Sequence, residues 1–154
     1  MTAYKVRQAH ASDHKAIAEM CALLWPDTSL EEHQQEVDLL IKSGMSGTLP
    51  GAILTSHEDG GTLTGFLQVG LRSHADGCNP TQPVGFVEGW FVYEHLRGNG
   101  IGKALMHAAE AWARHHGCIE MASDTWIDHV VSQKAHRALG FEVVDRCIHF
   151  RKAL

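Results

Sequence analysis

The chain has 154 residues, 44% of them hydrophobic and 20% charged, with a formal net charge of −5 at pH 7. This size and composition predict one compact globular domain over residues 1–154 and exclude the basic surface that a nucleic-acid-binding protein needs. No stretch has the apolar length of a membrane span or a signal sequence, so we expect a cytoplasmic protein with no membrane partner. We also expect four free cysteines and no metal site, because H-E-x-x-H and clustered Cys/His spacings are absent.

The first part of the chain predicts one strand followed by two helices. Residues 4–7 alternate polar and apolar side chains as a short strand does. The Ser-Asp pair at 12–13 is expected to cap the first helix, which ends at the Trp-Pro pair at 25–26. The capping box Ser29–Glu32 begins the second helix, and Gly44 ends it.

The middle of the chain predicts an antiparallel hairpin followed by an irregular strand. Residues 52–55 and 63–71 have strand-like composition, and the polar turn at 58–61 joins them. The apolar run at 84–93 is interrupted by two glycines and by Glu88. Such a run is too rich in glycine for a helix and long for a strand without a bulge.

The last part of the chain predicts a helix, a strand, a second helix and a final strand. A glycine-rich segment at 97–103 leads directly into the first of these helices, and residues 118–122 form the next strand. A helix over 128–139 is expected to turn four apolar side chains inward, namely Val131, Ala135, Ala138 and Leu139. The final strand is predicted at 141–150, which makes the order β, α, α, β, β, β, α, β, α, β and the fold class α+β.

The glycine-rich segment has the character of a phosphate-binding turn. A strand that ends in such a turn and passes into a helix directs several backbone N–H groups, and the positive end of the helix dipole, toward one point. A dinucleotide fingerprint would need glycine or alanine where Lys103 stands, and a Walker loop would need Ser or Thr where Ala104 stands. Neither of those two motifs is present.

The pattern Arg-x-x-Gly-x-Gly at Arg97, Gly100 and Gly102 resembles the loop by which the general N-acetyltransferase (GNAT) superfamily binds the pyrophosphate of acetyl-CoA. The order of elements and the Gly140-Phe141 junction are also similar to that family. The resemblance implies a mixed, mostly antiparallel central sheet flanked by helices, with splayed central strands, and acetyl-CoA as the acetyl donor. The cofactor contacts that it implies are Trp90, Phe91, Val92, Arg97, Gly98, Asn99, Gly100, Ile101, Gly102, Lys103 and His129.

Several segments further resemble the aminoglycoside 6′-N-acetyltransferases, at residues 24–26, 76–78, 86–92, 120–125 and 132–136. This resemblance implies an aminoglycoside substrate, and the substrate contacts that it implies are Trp25, His74, Glu88, Asp124 and Asp145. Carboxylates suit such a polycation because they replace the hydration that its ammonium groups lose. Each residue also has a structural alternative: Glu88 can be a buried structural carboxylate, Asp124 a helix cap, Asp145 an exposed strand residue, and Trp25 part of the core.

The GNAT resemblance implies direct attack of a neutral amine on the thioester, with no acyl-enzyme and therefore no role for a cysteine. Glu88 or Asp124 is the candidate acceptor of the amine proton. His136 stands where many family members have a tyrosine, so either its imidazolium protonates the departing thiolate or no acid is needed. Relatives commonly form homodimers, and the last strand is a candidate contact. The alternatives are an acetyltransferase for polyamines, peptides or other small amines, and a non-catalytic acetyl-CoA- or drug-binding module.

Overall fold

The centre of the fold is the predicted antiparallel hairpin, in a computed structural model that describes residues 3–154. The strands are β1 (Lys5–Gln8), β2 (Met45–Ser46), β3 (Leu49–His57), β4 (Leu63–Arg72), β5 (Val84–Val92) and β6 (Met121–Ser123). The helices are α1 (His14–Leu24), α2 (Leu30–Ser43), α3 (Ile101–His115) and α4 (Val130–Ala138). The sheet has the order β1-β3-β4-β5-β6, with β2 paired to β3. Only β5 and β6 run parallel, which confirms a mixed, mostly antiparallel sheet.

The two faces of the sheet carry separate hydrophobic cores. Successive side chains of a strand point to opposite faces, so Leu67 on β4 packs with α3 whereas its neighbour Phe66 packs with α1 and α2. Leu105 and Met106 are completely buried in the α3 core, and Ile17 in the α1 core. The sheet therefore forms the middle layer of an α+β fold. None of the helices within residues 3–154 is long and apolar enough to cross a membrane.

The N-terminal helices begin differently from each other. The predicted capping box is confirmed at α2, where the Glu32 N–H donates to Ser29 Oγ (3.2 Å) and the Ser29 N–H donates to the Glu32 carboxylate (3.1 Å). At α1 Asp13 occupies the predicted N-cap position, but its side chain bonds no helical N–H and instead accepts hydrogen bonds from Arg7 (2.6 Å) and the His10 N–H (2.7 Å). Burial acts to raise the pKa of the Asp13 carboxyl, but these bonds and the Arg7 charge outweigh it and lower the pKa.

The irregular strand that the sequence predicted is β5, and its irregularity is a bulge at Glu88. Val69 on β4 pairs with Val87, but Gln68 pairs with Gly89, so Glu88 has no partner residue on β4. The indole of Trp25 packs against Gly89, where an added Cβ would lie 2.4 Å from a ring carbon. A side chain at this position would displace Trp25, which is why the bulge contains glycine.

The predicted final strand at 141–150 does not form within the chain, and the prediction is wrong in this respect. The C-terminal tail, residues 141–154, has no regular secondary structure, and beyond Phe141 no backbone-to-backbone hydrogen bond is present among the described residues. The preceding strand β6 is also shorter and later than predicted. A strand needs a neighbouring edge, and three residues of β6 offer a short one.

Helix α4 also differs from its prediction, since none of its residues is fully buried. Val131, which was predicted to point inward, is 65% exposed. Ala138 is exposed as well, whereas Ala135 and Leu139 are half-buried. The apolar periodicity of α4 is real, but only part of that face is covered, because Leu139 packs against the α3 core while Val131 stays exposed.

Candidate active site

The glycine-rich loop lies at the N-terminus of α3, as the sequence predicted. Gly98 and Gly100 have left-handed backbone conformations, with φ of +83° and +81°. Arg97 Nε donates to the Val92 carbonyl (3.0 Å) and Asn99 Nδ2 donates to the Leu96 carbonyl (2.9 Å), so two loop side chains bind the backbone. Gly100 is the N-cap of α3 and offers no side-chain acceptor to the first helical N–H groups. These N–H groups, at the positive end of the helix, can bind a phosphate.

A gap opens between β5 and β6 beside this loop. Parallel pairing joins the two strands only at Gly85–Val87 and Met121–Ser123. Beyond Val87, β5 continues to Val92 and stays paired with β4, while β6 has already ended. The backbone of Trp90, Phe91 and Val92 therefore has no strand on the β6 side, which confirms the splayed arrangement and leaves room for an extended ligand.

Trp90 brings an unused hydrogen-bond donor to this region. Its indole Nε1 is buried and has no partner among the described residues. The ring packs against Gly102, where an added Cβ would lie 3.1 Å from Cζ2, and it meets the His136 ring edge-on at 5.3 Å. An unsatisfied buried donor costs about 1–3 kcal/mol, so a ligand acceptor here would be stabilising. Loop, gap and donor together fit a ligand that carries a pyrophosphate and amide groups.

His136 is held by hydrogen bonds through both ring nitrogens. Nδ1 lies 2.7 Å from the Ser132 carbonyl, which can only accept, so Nδ1 carries a proton. In the neutral ring Nε2 is then an acceptor, and the Ser123 hydroxyl donates to it at 2.8 Å. Ser123 stands at the end of β6, at the mouth of the gap, and sequence analysis did not identify it. The one signal for Ser123 in the sequence was that it lies in the segment at 120–125, which resembles the aminoglycoside acetyltransferases.

The acidic part of the site is built around Arg72, which sequence analysis also missed. Arg72 Nε and Nη2 donate to the two carboxylate oxygens of Glu88 at 2.9 and 2.7 Å. The guanidinium carbon lies 3.4 Å from the centre of the Phe86 ring. The bonds to Glu88 raise the pKa of Arg72 against the effect of burial, and the charges of Glu88 and Asp124 raise it further. Asp124 follows Ser123, which pairs with Val87, so both carboxylates face the same end of the gap.

The other predicted substrate residues are not brought together. Trp25 is half-buried against Gly89, next to Glu88. His74 is exposed, and its ring nitrogen is 3.0 Å from the hydroxyl of its neighbour Ser73. Asp145, in the tail, is exposed and accepts a hydrogen bond from the next N–H in the chain (2.7 Å).

Among the predicted cofactor residues, His129 is exposed, and its nearest side-chain partner is Thr125 at 3.4 Å. Lys103 is exposed, whereas Ile101 is buried and can contribute only backbone.

Three of the four cysteine thiols are poorly suited to nucleophilic chemistry. Burial, with a contribution from the Glu36 charge, raises the pKa of Cys21 to about 12. Burial also raises the pKa values of Cys78 and Cys118. A thiol rather than a thiolate is a weak nucleophile, which favours chemistry without an acyl-enzyme. Over residues 3–154 there is also no group of three or more His, Cys, Asp or Glu side chains that could bind a metal ion.

Comparison with known proteins identifies the family. The model of the Acetyltransferase (GNAT) family matches residues 17–141. The chain belongs to this GNAT family. An aminoglycoside N(6′)-acetyltransferase type 1 from Stenotrophomonas maltophilia is 38% identical over 151 residues, which are 97% of this chain and 93% of the relative. The one from Klebsiella aerogenes is 38% identical over 149 residues, 97% of this chain and 96% of the relative.

A solved structure extends the similarity to the fold of this GNAT chain. The aminoglycoside acetyltransferase AAC(6′)-Iy, in complex with the bisubstrate analogue CoA-S-monomethyl-acetylneamine, superposes with a TM-score of 0.88 at 31% sequence identity. The superposition covers 99% of this chain and 99% of that chain. The two folds therefore agree along nearly their whole length.

Proposed function

We propose that this GNAT protein is an aminoglycoside 6′-N-acetyltransferase, which transfers the acetyl group of acetyl-CoA to a primary amine of the drug. The observation that carries the proposal is the 38% identity to relatives of that name over 97% of the chain. The site is chemically suited to this activity, because it combines a phosphate-binding loop with carboxylates for a cationic substrate. We further propose that the chain acts as one cytoplasmic domain, in keeping with its free thiols.

The loop and the gap would hold the acetyl donor. The N–H groups from Gly98 to Lys103 would bind the pyrophosphate, with the negative charge at the positive end of α3. The β5 backbone at residues 90–92, which has no strand on its β6 side, would pair with the pantetheine arm, and Trp90 Nε1 would donate to an acceptor on it. Acetyl-CoA supplies the thioester that the amine attacks.

The carboxylates would deprotonate and orient the amine. An alkylammonium with a pKa near ~10 must lose a proton before it attacks, at a cost of about 4 kcal/mol at pH 7. Both oxygens of Glu88 already accept hydrogen bonds from Arg72. Asp124 makes no side-chain hydrogen bond within residues 3–154, so we assign proton acceptance to Asp124 and charge recognition to Glu88.

The remaining steps need no covalent enzyme intermediate. The amine nitrogen bonds to the acetyl carbon, the carbon–sulfur bond breaks, and the amine proton passes to Asp124. The CoA thiolate then takes a proton, for which we propose the Ser123 hydroxyl with His136 behind it. This relay uses the imidazolium form of His136, which gives its Nε2 proton to Ser123 Oγ as the serine hydroxyl gives its own proton to the thiolate, and which then takes a new proton from solvent.

A thiol-release assay with matched substrates tests the function. Neomycin and paromomycin differ only in carrying an amine or a hydroxyl at the 6′ carbon. We expect CoA release with acetyl-CoA and neomycin and release at the background rate with paromomycin, because a hydroxyl is the weaker nucleophile. Turnover restricted to spermidine or to peptide amines would make the aminoglycoside assignment wrong. CoA binding without turnover of any amine would indicate a binding module instead.

We also propose that the chain forms a homodimer in which each C-terminal tail pairs with the partner's sheet. The tail has a strand-like sequence that finds no edge in its own chain, and its apolar side chains are exposed, among them Phe150 at 92%. The same chain exposes apolar side chains around β6 and α4, including Ile119 at 72% and Trp126 at 76%. An unpaired strand and an uncovered apolar edge are complementary, so two copies can satisfy both by exchanging tails.

Light scattering coupled to gel filtration checks the dimer. We expect a mass of about twice 16.9 kDa for the unaltered chain. Ile148→Asp with Phe150→Asp should produce the monomer, because both changes put charge on the face that would be buried. Leu23→Asp is the matched control, since Leu23 is 62% exposed on α1, away from the tail, and should leave the dimer intact. A monomeric parent protein, or an equal effect of the control, would contradict the exchange.

A further inference from the structure

The guanidinium of Arg72 fills a site that is built to recognise a cation. Glu88 binds it with both carboxylate oxygens at 2.9 and 2.7 Å, and the Phe86 ring lies beneath it at 3.4 Å. The negative charge of Asp124 acts on it as well. A carboxylate fork, an aromatic face and a second carboxylate are the groups that bind ammonium and guanidinium ions in general.

Strand β5 and the end of β4 together assemble this site. Glu88 lies two positions after Phe86, so both side chains point to the same face of the sheet, where Glu88 meets Arg72 from the end of β4. The arginine side chain is 44% exposed and the glutamate side chain 23% exposed, so the pair lies at the surface of the cleft and not in the core. A pair in that position contributes little to folding stability, and a ligand can reach it.

We propose that Arg72 is a specificity-determining residue that competes with the cationic substrate for Glu88. The inference rests on the proposed function, because it assigns the charge recognition of that same site. In the free protein the positive charge of Arg72 neutralises the negative charge of Glu88 at the rim of the cleft. A substrate ammonium group can bind Glu88 only after it displaces the guanidinium of Arg72. A polycation that Asp124 holds by a second ammonium can do so, whereas a simple monoamine cannot.

Removing the charge of Arg72 should therefore improve substrate binding. Arg72→Met keeps the length and the contact with Phe86 but removes the cation. We expect its KM for neomycin to fall about fivefold, with kcat changed less than about twofold, since one repulsive charge disappears at a distance where solvent screens it partly. Arg72→Lys is the intermediate comparison, because it keeps the charge but loses the bidentate hydrogen bonds to Glu88, so its KM should fall less than that of Arg72→Met. Spermidine and a monoamine such as benzylamine should become better substrates of Arg72→Met as well.

If Arg72 instead held Glu88 in place for the substrate, the KM of Arg72→Met would change in the opposite direction. If the guanidinium were needed to orient the carboxylate for the substrate, Arg72→Met would raise KM and lower kcat, and Arg72→Lys would share part of the loss. Either result overturns the proposal. A KM in Arg72→Met equal to that of the parent also overturns it.

A second experiment needs no aminoglycoside. Methylguanidinium added to Arg72→Ala should occupy the place of the missing side chain and raise Tm by about 2–4 °C at saturating concentration. The parent protein and the double variant Arg72→Ala with Glu88→Gln should show no such rise. If the unaltered enzyme fails to acetylate neomycin, the proposed function is wrong, while this melting shift still shows whether Glu88 and Phe86 form a cation site. A shift of equal size in all three proteins would overturn the inference.

Discussion

Gly100→Val is expected to raise the Kd for CoA about 100-fold in a protein that remains folded. Gly100 has φ of +81°, where an L-residue is strained by roughly 1–2 kcal/mol, more for a β-branched one. No protein atom lies within 4 Å of an added Cβ, so the new side chain meets open space in which the phosphate would lie. Relaxing the strain would also turn the N–H groups of the loop away from the ligand, and each lost charge-assisted bond costs about 1.5–3 kcal/mol.

Gly117→Val is the matched control for this substitution. Gly117 follows the C-terminal end of α3, its φ is +82°, and an added Cβ there also meets nothing within 4 Å. The two variants should therefore lose similar stability in thermal melting, whereas isothermal titration should show weakened CoA binding for Gly100→Val alone. Unchanged CoA affinity in Gly100→Val, or an equal loss in Gly117→Val, would remove the loop from the cofactor site.

The features that sequence analysis predicted correctly depend on residues close together in the chain. The capping box of α2 involves Ser29 and Glu32, one helical turn apart, and the glycine loop with its helix lies within residues 97–103. Backbone conformation and helix dipole are local properties, so their pattern in the sequence is enough. The bulge in β5 was indicated by glycines inside an apolar run for the same reason.

The features that it missed depend on the register between strands. Arg72 and Glu88 are 16 residues apart, and which side chain of β4 meets Glu88 depends on the register in which β4 pairs with β5. A shift of one residue turns a side chain to the other face of the sheet, and composition carries no record of that choice. Ser123 meets His136 by the same kind of long-range placement.

The prediction of a final strand was wrong for a different reason. The alternation at 141–150 is a property of the tail alone, but a strand also needs a partner edge with free N–H and C=O groups. Within residues 3–154 the tail pairs with no strand, and the neighbouring edge strand β6 is only three residues long. The placement of Asp145 in the substrate site therefore stays a prediction, and in an exchanged dimer the residue would belong to the partner's half of the assembly.

Asp124→Asn is expected to lower kcat/KM for neomycin about 100-fold, with most of the loss in kcat. Removal of a positioned proton acceptor costs about 10²–10⁴ in rate, and asparagine keeps the shape of aspartate but cannot take the proton. The Kd for CoA should not change, because the loop at 97–103 is separate from the carboxylate. A kcat that recovers as pH rises toward the pKa of the free amine would identify the lost step as deprotonation.

Two companion variants separate proton transfer from simple charge. Asp59→Asn makes the same change in charge in the exposed turn between β3 and β4, at the opposite end of β4 from Arg72, and should leave kcat/KM within about twofold of the parent. Glu88→Gln should raise KM more than it lowers kcat, because it leaves the Arg72 guanidinium unpaired beside the incoming cation. Two results would exchange the roles assigned to the two carboxylates. One is a fall in kcat/KM of less than about threefold in Asp124→Asn, and the other is a fall in activity of Glu88→Gln that is confined to kcat. Since both oxygens of Glu88 are engaged by Arg72, whereas those of Asp124 make no hydrogen bond to any described residue, the geometry favours Asp124 as the base.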